Sequence, residues 1–297
     1  MLNNQAYDVS IVDVNQRSGM LYFIASWPMP QNRHLFSVRI ASFNQRNGNA
    51  MAAPKCLSCW MEQTPGSLGG VTPWTNSCGY VSAAKFDAAG DFYLQYCNGP
   101  GTPQQLLRRA STNQTVLLMN DNAPMAKLVA GMAMPEFHYT TMEITNGYSA
   151  LVRIEMPPGV PLNTKQKFPM LLSLYAGPGS QRGSFSWYVG TDQYFVSNRR
   201  FVVVVVEGRG SGYRGWKYRS PIWHSFGTVE VQDQITVAKK IQQKYAFVDK
   251  SKIGVWGWSY GGYTTAHIVA SDAERFFKCP LSVAPVTDFR YYGIYKP

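Results

Sequence analysis

The chain has 297 residues, enough to bury a sizeable core as one large domain or two. With 45% hydrophobic and only 15% charged residues it falls outside the disordered class, and no apolar run reaches the length of a membrane span. A net charge of +11 would suit an anionic partner, yet the basic residues are scattered along the whole sequence. Their densest stretch, GRGSGYRGWKYR at 208–219, interleaves Arg209, Arg214, Lys217 and Arg219 with Tyr213, Trp216 and Tyr218. Such aromatics can stack on bases, but no nucleic-acid motif accompanies them, so the stretch reads as a structured loop after a strand. The start, MLNNQAYDVSIVDVN, carries neither the basic nor the apolar region of a signal peptide.

The first 120 residues predict β hairpins. GMLYFIA (19–25) and HLFSVRI (34–40) alternate apolar and polar residues around a proline-rich turn. A second copy follows: Gly19, Tyr22 and Leu35 recur as Gly90, Tyr93 and Leu106, each displaced by 71 positions. This self-similarity suggests propeller blades, with a plain β-meander as the alternative. Between and within the copies lie Cys56, Cys59, Cys78 and Cys97, and Cys279 makes the total odd. CLSC (56–59) has the spacing of a zinc or redox motif, but no second C-x-x-C or paired histidines complete a metal site; a disulfide set with one orphan is the simpler reading, and no metal is expected. The sequon at Asn113 fits an oxidising compartment and is the candidate glycosylation site.

After Pro135 the pattern changes. ALVRIEM (150–156), FPMLLSLY (168–175), FVVVVV (201–206), KIGVW (252–256) and PLSVAPV (280–286) are mostly continuous apolar runs, as in a parallel sheet covered on both faces. Residues 228–245 place Val231, Ile235, Ala238 and Ile241 on one helical face, with Glu230 and Asp233 early and Lys239, Lys240 and Lys244 late, complementing the helix dipole. An α/β domain therefore follows a β domain.

Gly257-Trp258-Ser259-Tyr260-Gly261 is G-x-S-x-G, placed after a buried strand and before a predicted helix from about Tyr260 to Ala270. The turn would thrust the Ser259 hydroxyl out at the sheet's carboxyl edge, and the glycines remove Cβ atoms that would clash there. The alternative is a glycine-rich turn that happens to hold serine. Oxyanion donors would be the Tyr260 N–H and, from the YAGPGS turn, the Tyr175 hydroxyl; Tyr175 reads equally well as an ordinary strand-end tyrosine. Neither YAGPGS nor EGRGSG spells a dinucleotide fingerprint. His267, the one histidine after Ser259, lies eight residues along the same helix, about 12 Å of rise away. His34, His138 and His224 precede the serine, and Asp272 and Asp288 follow it too closely to lie beyond a further strand; they read as solvated or capping residues. A catalytic triad cannot be completed from these residues.

GWSYGGY, YAGPGSQ, EGRGSGYRG, FGTVEVQDQ and VAPVTDFRYY together resemble the prolyl oligopeptidase family, specifically its dipeptidyl peptidase IV branch. CLSC and YCNGPGTP look like the last propeller blades of that branch, so the resemblance covers essentially the whole chain, as an interior slice. It implies the C-terminal blades of a β-propeller over residues 1–135 and the N-terminal part of an α/β-hydrolase domain with a mostly parallel sheet over 136–297. It further implies a serine exopeptidase that releases dipeptides after a penultimate proline or alanine, with Ser259 as nucleophile and Tyr175 and Tyr260 as the oxyanion hole. Tyr260, Tyr263, Val286, Phe289, Tyr292 and Tyr295 would line the pocket for the proline ring. Phe289 stands where the branch usually has tryptophan, and Tyr295 comes one residue early in a tail, GIYKP, that departs from the pattern. The implied disulfides are Cys56 with Cys59 and Cys78 with Cys97, Cys279 pairing with a cysteine outside the chain. Triad aspartate, histidine and the propeller glutamates that hold a substrate's amino terminus are expected to be absent, leaving this chain inactive alone. No cofactor and no nucleic acid are implied; the full-length form is expected as a homodimer, secreted or a type II membrane protein at the cell surface. The alternatives are another hydrolase of the same family and a noncatalytic binding homologue.

Overall fold

The computed structural model describes residues 8–40, 53–59, 78–145 and 147–291. Two four-stranded antiparallel sheets come first. One holds β1 (Val9–Asn15), β2 (Met20–Ala25), β3 (His34–Arg39) and β4 (Lys55–Cys56) in that order; the other holds β5 (Val81–Phe86), β6 (Phe92–Cys97), β7 (Gln104–Arg109) and β8 (Thr115–Asn120). The sequence repeat is also a repeat of register. Leu21 pairs with Val38 in the first sheet, and adding 71 to each gives Phe92 and Arg109, which pair in the second. Gly19 and Gly90 both adopt positive φ, 66° and 72°, where a side chain would be strained. Tyr22 and Leu35 from one sheet and Tyr93 and Leu106 from the other share a single buried cluster, with Phe86 stacked between the two tyrosines. The two units are blades packed face to face, not one continuous meander.

Helix α1 (Ala123–Ala130) leads to a six-stranded sheet of order β14-β13-β11-β12-β10-β9, made by β9 (Glu136–Thr145), β10 (Tyr148–Met156), β11 (Phe168–Leu174), β12 (Val202–Glu207), β13 (Val248–Trp258) and β14 (Cys279–Val283). Strands β12, β11, β13 and β14 are mutually parallel. The ALVRIEM strand, grouped by its apolarity with the parallel set, instead runs antiparallel to β12, because a tight turn at Gly147 (φ 75°) pairs it with β9 as a hairpin. Strand β9 has no counterpart among the expected strands.

Helices α2 (Thr191–Arg199), α4 (Val229–Lys244) and α5 (Tyr260–Ser271) cover the sheet, and a short α3 (Trp216–Arg219) lies in the loop after β12. The valine run shows why it needs no alternation. Val202, Val204 and Val206 pack with Val231, Val237, Ala238 and Ile241 of α4 and Ile268 of α5, while Val203 and Val205 pack with Val196 of α2. Both faces are buried, as continuous apolar strands require.

The blades also brace the loops of the six-stranded sheet. The Arg33 guanidinium donates to Gln181 Oε1 (2.6 Å) and lies 3.5 Å from the centre of the Tyr213 ring. Tyr213 N–H donates to Asp8 Oδ2 (2.6 Å), and Phe185 N–H donates to the Gln31 carbonyl (2.9 Å). A Cβ on Gly99 would lie 1.9 Å from the Phe185 carbonyl oxygen, an approach only glycine permits.

Candidate active site

Strands β11 and β13 are neighbours, with Leu174 in register with Gly257. Tyr175 and Ser259 therefore leave the same carboxyl edge of the sheet side by side. Ser259 has φ 59° and ψ −117°, a conformation in which a residue with a side chain is strained. The strain is held by its neighbours. Ser259 N–H donates to the Val283 carbonyl (3.0 Å), and its own carbonyl accepts from Tyr263 N–H (3.0 Å) and Val286 N–H (3.3 Å). A Cβ on Gly257 would sit 2.4 Å from the Gly261 oxygen, and one on Gly261 would sit 2.5 Å from the Leu174 oxygen and 3.1 Å from Tyr175 Cα. The flanking glycines thus let the bend close and let α5 begin directly against Tyr175. Tyr260 is the first residue of α5, so its N–H has no partner within the helix and points from the helix's positive end.

Two glycine-rich loops scaffold Tyr175. Gly179 N–H donates to the Gly210 carbonyl (2.9 Å) and Gly212 N–H to the Ser180 carbonyl (3.0 Å), knitting YAGPGS to GRGSG. Glu207, at the end of β12, accepts the N–H groups of Arg182 (2.6 Å) and Gly183 (2.7 Å); burial pushes its carboxyl above the usual range while these donors oppose that shift. Arg209 clamps the second loop to α4, its side chain and its backbone N–H both bonded to Asp233. Arg214 donates to the Ser149 carbonyl (2.6 Å) and stacks on Tyr218, so the basic residues of this stretch that are best buried serve the fold itself.

Beside the serine, five aromatic rings converge. Phe289 meets Tyr263 at 5.2 Å, Tyr260 at 6.2 Å and Phe226 at 5.5 Å, while Tyr175 lies 6.3 Å from Tyr260. Val286 is tied to the bend by its bond to Ser259. The structure thus brings Ser259, Tyr260, Tyr175, Tyr263, Val286 and Phe289 together. Tyr292 and Tyr295 lie outside the described residues. Phe226 was not among the expected pocket residues, although it stands inside the FGTVEVQDQ stretch that carries part of the resemblance.

Glu230 was also missed. It and Asp233 do more than complement a dipole: both are fully buried. Glu230 accepts the N–H groups of Gly227 (2.6 Å) and Thr228 (3.1 Å) and the Tyr260 hydroxyl (2.9 Å). Burial, and then the nearby Glu230 charge, raises the Tyr260 phenol well above its ordinary range and keeps it a donor. Tyr260→Phe is expected to cost about 1.5–3 kcal/mol of stability, the range for a hydrogen bond to a charged group. Urea unfolding measures it, and a loss below about 0.5 kcal/mol would mean that the bond does not anchor the ring.

None of the four histidines is placed beside the serine by these contacts. His267 packs on Tyr263 (4.3 Å between rings), one helical turn further from Ser259. His34 is buried in β3 with Nδ1 2.9 Å from Ser58 Oγ. His138 sits on β9, four strands from β13 in the sheet order. His224 is exposed, in a left-handed conformation, edge-on to Trp223. Asp272 accepts the N–H groups of Phe276 and Phe277 beyond the end of α5, and Asp288 pairs with Arg290.

Cys56 is bonded to Cys59 and Cys78 to Cys97, while Cys279 is an exposed free thiol. Asn113 is half-buried; its Nδ2 donates to the Leu57 carbonyl (2.8 Å) and its Oδ1 accepts the Tyr93 hydroxyl, so a sugar attached there must fit beside these bonds.

A strained serine between a buried parallel strand and a helix, at the edge of a sheet covered on both faces, defines an α/β-hydrolase domain, here joined to propeller blades. The prolyl oligopeptidase family model matches residues 187–296, and the dipeptidyl peptidase IV N-terminal region matches residues 1–104. The chain is 33% identical over 285 residues to venom dipeptidyl peptidase 4 of Apis mellifera, covering 96% of this chain and 34% of that protein. It is 32% identical over 300 residues to dipeptidyl peptidase family member 1 of Caenorhabditis elegans, covering 98% and 35%. The fold is similar to that in the crystal structure of Porphyromonas gingivalis dipeptidyl peptidase 4, with a TM-score of 0.78 and 24% identity over 96% of this chain and 36% of that one. The chain belongs to the prolyl oligopeptidase family of serine peptidases, in its dipeptidyl peptidase IV branch. It spans about a third of the length of the curated relatives it matches.

Proposed function

We propose that Ser259 is the nucleophile of a dipeptidyl peptidase IV-type exopeptidase, and that the chain divides near residue 135 into propeller blades and the catalytic half that carries it. The observation that carries this reading is the strained bend at Ser259, set against Tyr175 by a Gly261 that has no room for a side chain. In the proposed reaction the Ser259 hydroxyl adds to a peptide carbonyl, the oxyanion takes hydrogen bonds from Tyr260 N–H and the Tyr175 hydroxyl, and collapse leaves an acyl-enzyme that water then releases. The ring cluster of Tyr260, Tyr263, Phe289 and Phe226, with Val286, is an apolar recess that suits a proline or alanine side chain, which has no polar group to satisfy. Tyr292 and Tyr295 are proposed to extend it.

A serine needs a base to lose its proton, and none of the histidine contacts described above reaches Ser259. We therefore propose that the base, its acidic partner and the anchor for the substrate's amino terminus come from sequence outside these 297 residues, and that this chain by itself is inactive. Two disulfides suit an oxidising setting, and one relative is named for venom, which supports a secreted or cell-surface protein. A homodimer of the full-length form is part of the same proposal.

The full-length protein, assayed on Xaa-Pro amides with free and with blocked amino termini, is expected to favour the free substrate by about two orders of magnitude or more, and to lose the activity in Ser259→Ala. Equal cleavage of blocked peptides would instead favour an oligopeptidase or acylaminoacyl peptidase of the same family. Peptide binding without turnover would favour a noncatalytic homologue.

A further inference from the structure

The carboxylate of Glu230 joins two walls of the aromatic recess that are far apart in the sequence. Its Oε1 accepts both the Gly227 N–H (2.6 Å) and the Tyr260 hydroxyl (2.9 Å), and its Oε2 accepts the Thr228 N–H (3.1 Å). We propose that Glu230 is a positioning residue that sets the width of this recess, and with it the selection of a compact side chain such as proline or alanine over a longer one. The inference rests on the proposed peptidase function and adds to it the group that holds the recess to size.

The bracket acts on both rings at once. Tyr260 opens α5 and Phe226 stands just before α4; their rings meet edge to face at 6.0 Å, and Phe289 closes the group at 5.5 Å from Phe226 and 6.2 Å from Tyr260. Because Phe226 is joined to Gly227 along the chain, one carboxylate oxygen fixes the backbone that carries one ring and the hydroxyl end of the other. The oxygen itself has little freedom, since Glu230 is 1% exposed and lies in the first turn of α4, beside the Val231 that packs into the core of the sheet. Position 227 adds an independent constraint. Gly227 has φ 81°, and a Cβ there would lie 2.5 Å from the Tyr263 hydroxyl oxygen and 2.9 Å from His267 Cε1. A side chain at this position would strain the turn and displace Tyr263, a further wall of the recess.

The arrangement calls for a carboxylate and not merely for a side chain of that volume. Both oxygens of Glu230 accept, whereas an amide offers one acceptor oxygen and a donor NH2. Whichever way Gln is turned at position 230, the N–H of Gly227 or of Thr228 then faces another donor, and a buried N–H without a partner moves its loop to find one. Phe226 moves with that loop. A recess refuses a longer side chain only while its walls keep their spacing, so a displaced Phe226 lowers the contact made with a proline ring and admits what was excluded. This effect is separable from a loss of stability. A variant that merely unfolds a fraction of the molecules lowers kcat for every substrate by the same factor and leaves the ratio of kcat/KM between two substrates unchanged.

The test uses the full-length protein and Xaa-Pro, Xaa-Ala and Xaa-Leu amides with free amino termini. In Glu230→Gln the kcat/KM ratio of the proline over the leucine substrate is expected to fall about tenfold, with KM for the proline substrate rising more than its kcat falls. Gly227→Ala should move the ratio in the same direction. Tyr260→Phe, which keeps the ring and removes only the hydroxyl, should narrow it too, and joining it to Glu230→Gln should narrow it by less than the product of the two single effects, since both break the same bond. A ratio within about twofold of the unsubstituted protein in either Glu230→Gln or Tyr260→Phe overturns the proposal and leaves Glu230 a residue of the fold alone. Where Glu230→Gln does not fold, the Tyr260→Phe ratio decides the matter by itself. Unsubstituted protein that cleaves none of the three amides overturns the proposed function and this inference with it, whereas cleavage with an unmoved ratio overturns the inference alone.

Discussion

Treated with a fluorophosphonate probe, the 297-residue chain is expected to label at Ser259 about a thousandfold more slowly than a serine peptidase whose base is in place, and Ser259→Ala to abolish what labelling remains. The bend and the proposed oxyanion donors are formed within the chain, so the residual reaction reports what geometry and electrostatics do without proton transfer. In serine peptidases that lack a triad member, those terms alone leave about a thousandfold to ten-thousandfold acceleration over water. Labelling at the rate of a complete enzyme would mean that a base is present. His224 is then the side chain to replace first, because Phe226, two residues on, packs directly against Tyr260. Loss of fast labelling in His224→Ala would overturn the view that the base lies outside these residues.

Much of the fold was legible because both of its signals are periodic. The 71-residue displacement survives in the strand register, since hairpins with the same turn lengths and the same buried tyrosine can pair in only one way. The valine run announced a strand covered on both faces, and the glycines around Ser259 announced a bend with no room for Cβ atoms. What could not be read was the partner of each polar residue. Glu230 and Asp233 look like first-turn acids of any surface helix, and only the packing of α4 beneath Tyr260 and Arg209 turns them into buried acceptors. Strand β9 was overlooked because EFHYTTMEIT alternates with polar residues and lacks the apolar continuity of its neighbours. Phe226 lies more than thirty positions before Ser259, a separation at which one aromatic among many gives no sign of contact.

The second large effect concerns a buried charge network that no sequence pattern announces. Glu155 on β10 has a fully buried side chain; its Oε1 lies 2.8 Å from Arg153 Nη2 and its Oε2 accepts from Gln193 (3.0 Å). Arg153 in turn donates to the Arg182 carbonyl (2.8 Å), and the Arg182 guanidinium pairs with Asp192 (2.8 Å) and donates to Ser173 (2.9 Å). Glu155→Ala strands the Arg153 guanidinium in the interior and is expected to cost about 3–5 kcal/mol in urea unfolding. Replacing both partners with apolar residues, as in Arg153→Met with Glu155→Leu, should recover most of that loss, because no buried charge is then left alone. A single substitution that costs less than about 1 kcal/mol would show that water reaches the pair. The network also ends in Arg182, whose backbone holds Glu207 beneath the loop that follows Tyr175. Glu155→Ala should therefore loosen Tyr175 and slow the residual labelling of Ser259, whereas the apolar pair, which leaves Arg182 with Asp192 and Ser173, should restore stability more fully than it restores labelling, since replacing Arg153 removes its bond to the Arg182 carbonyl.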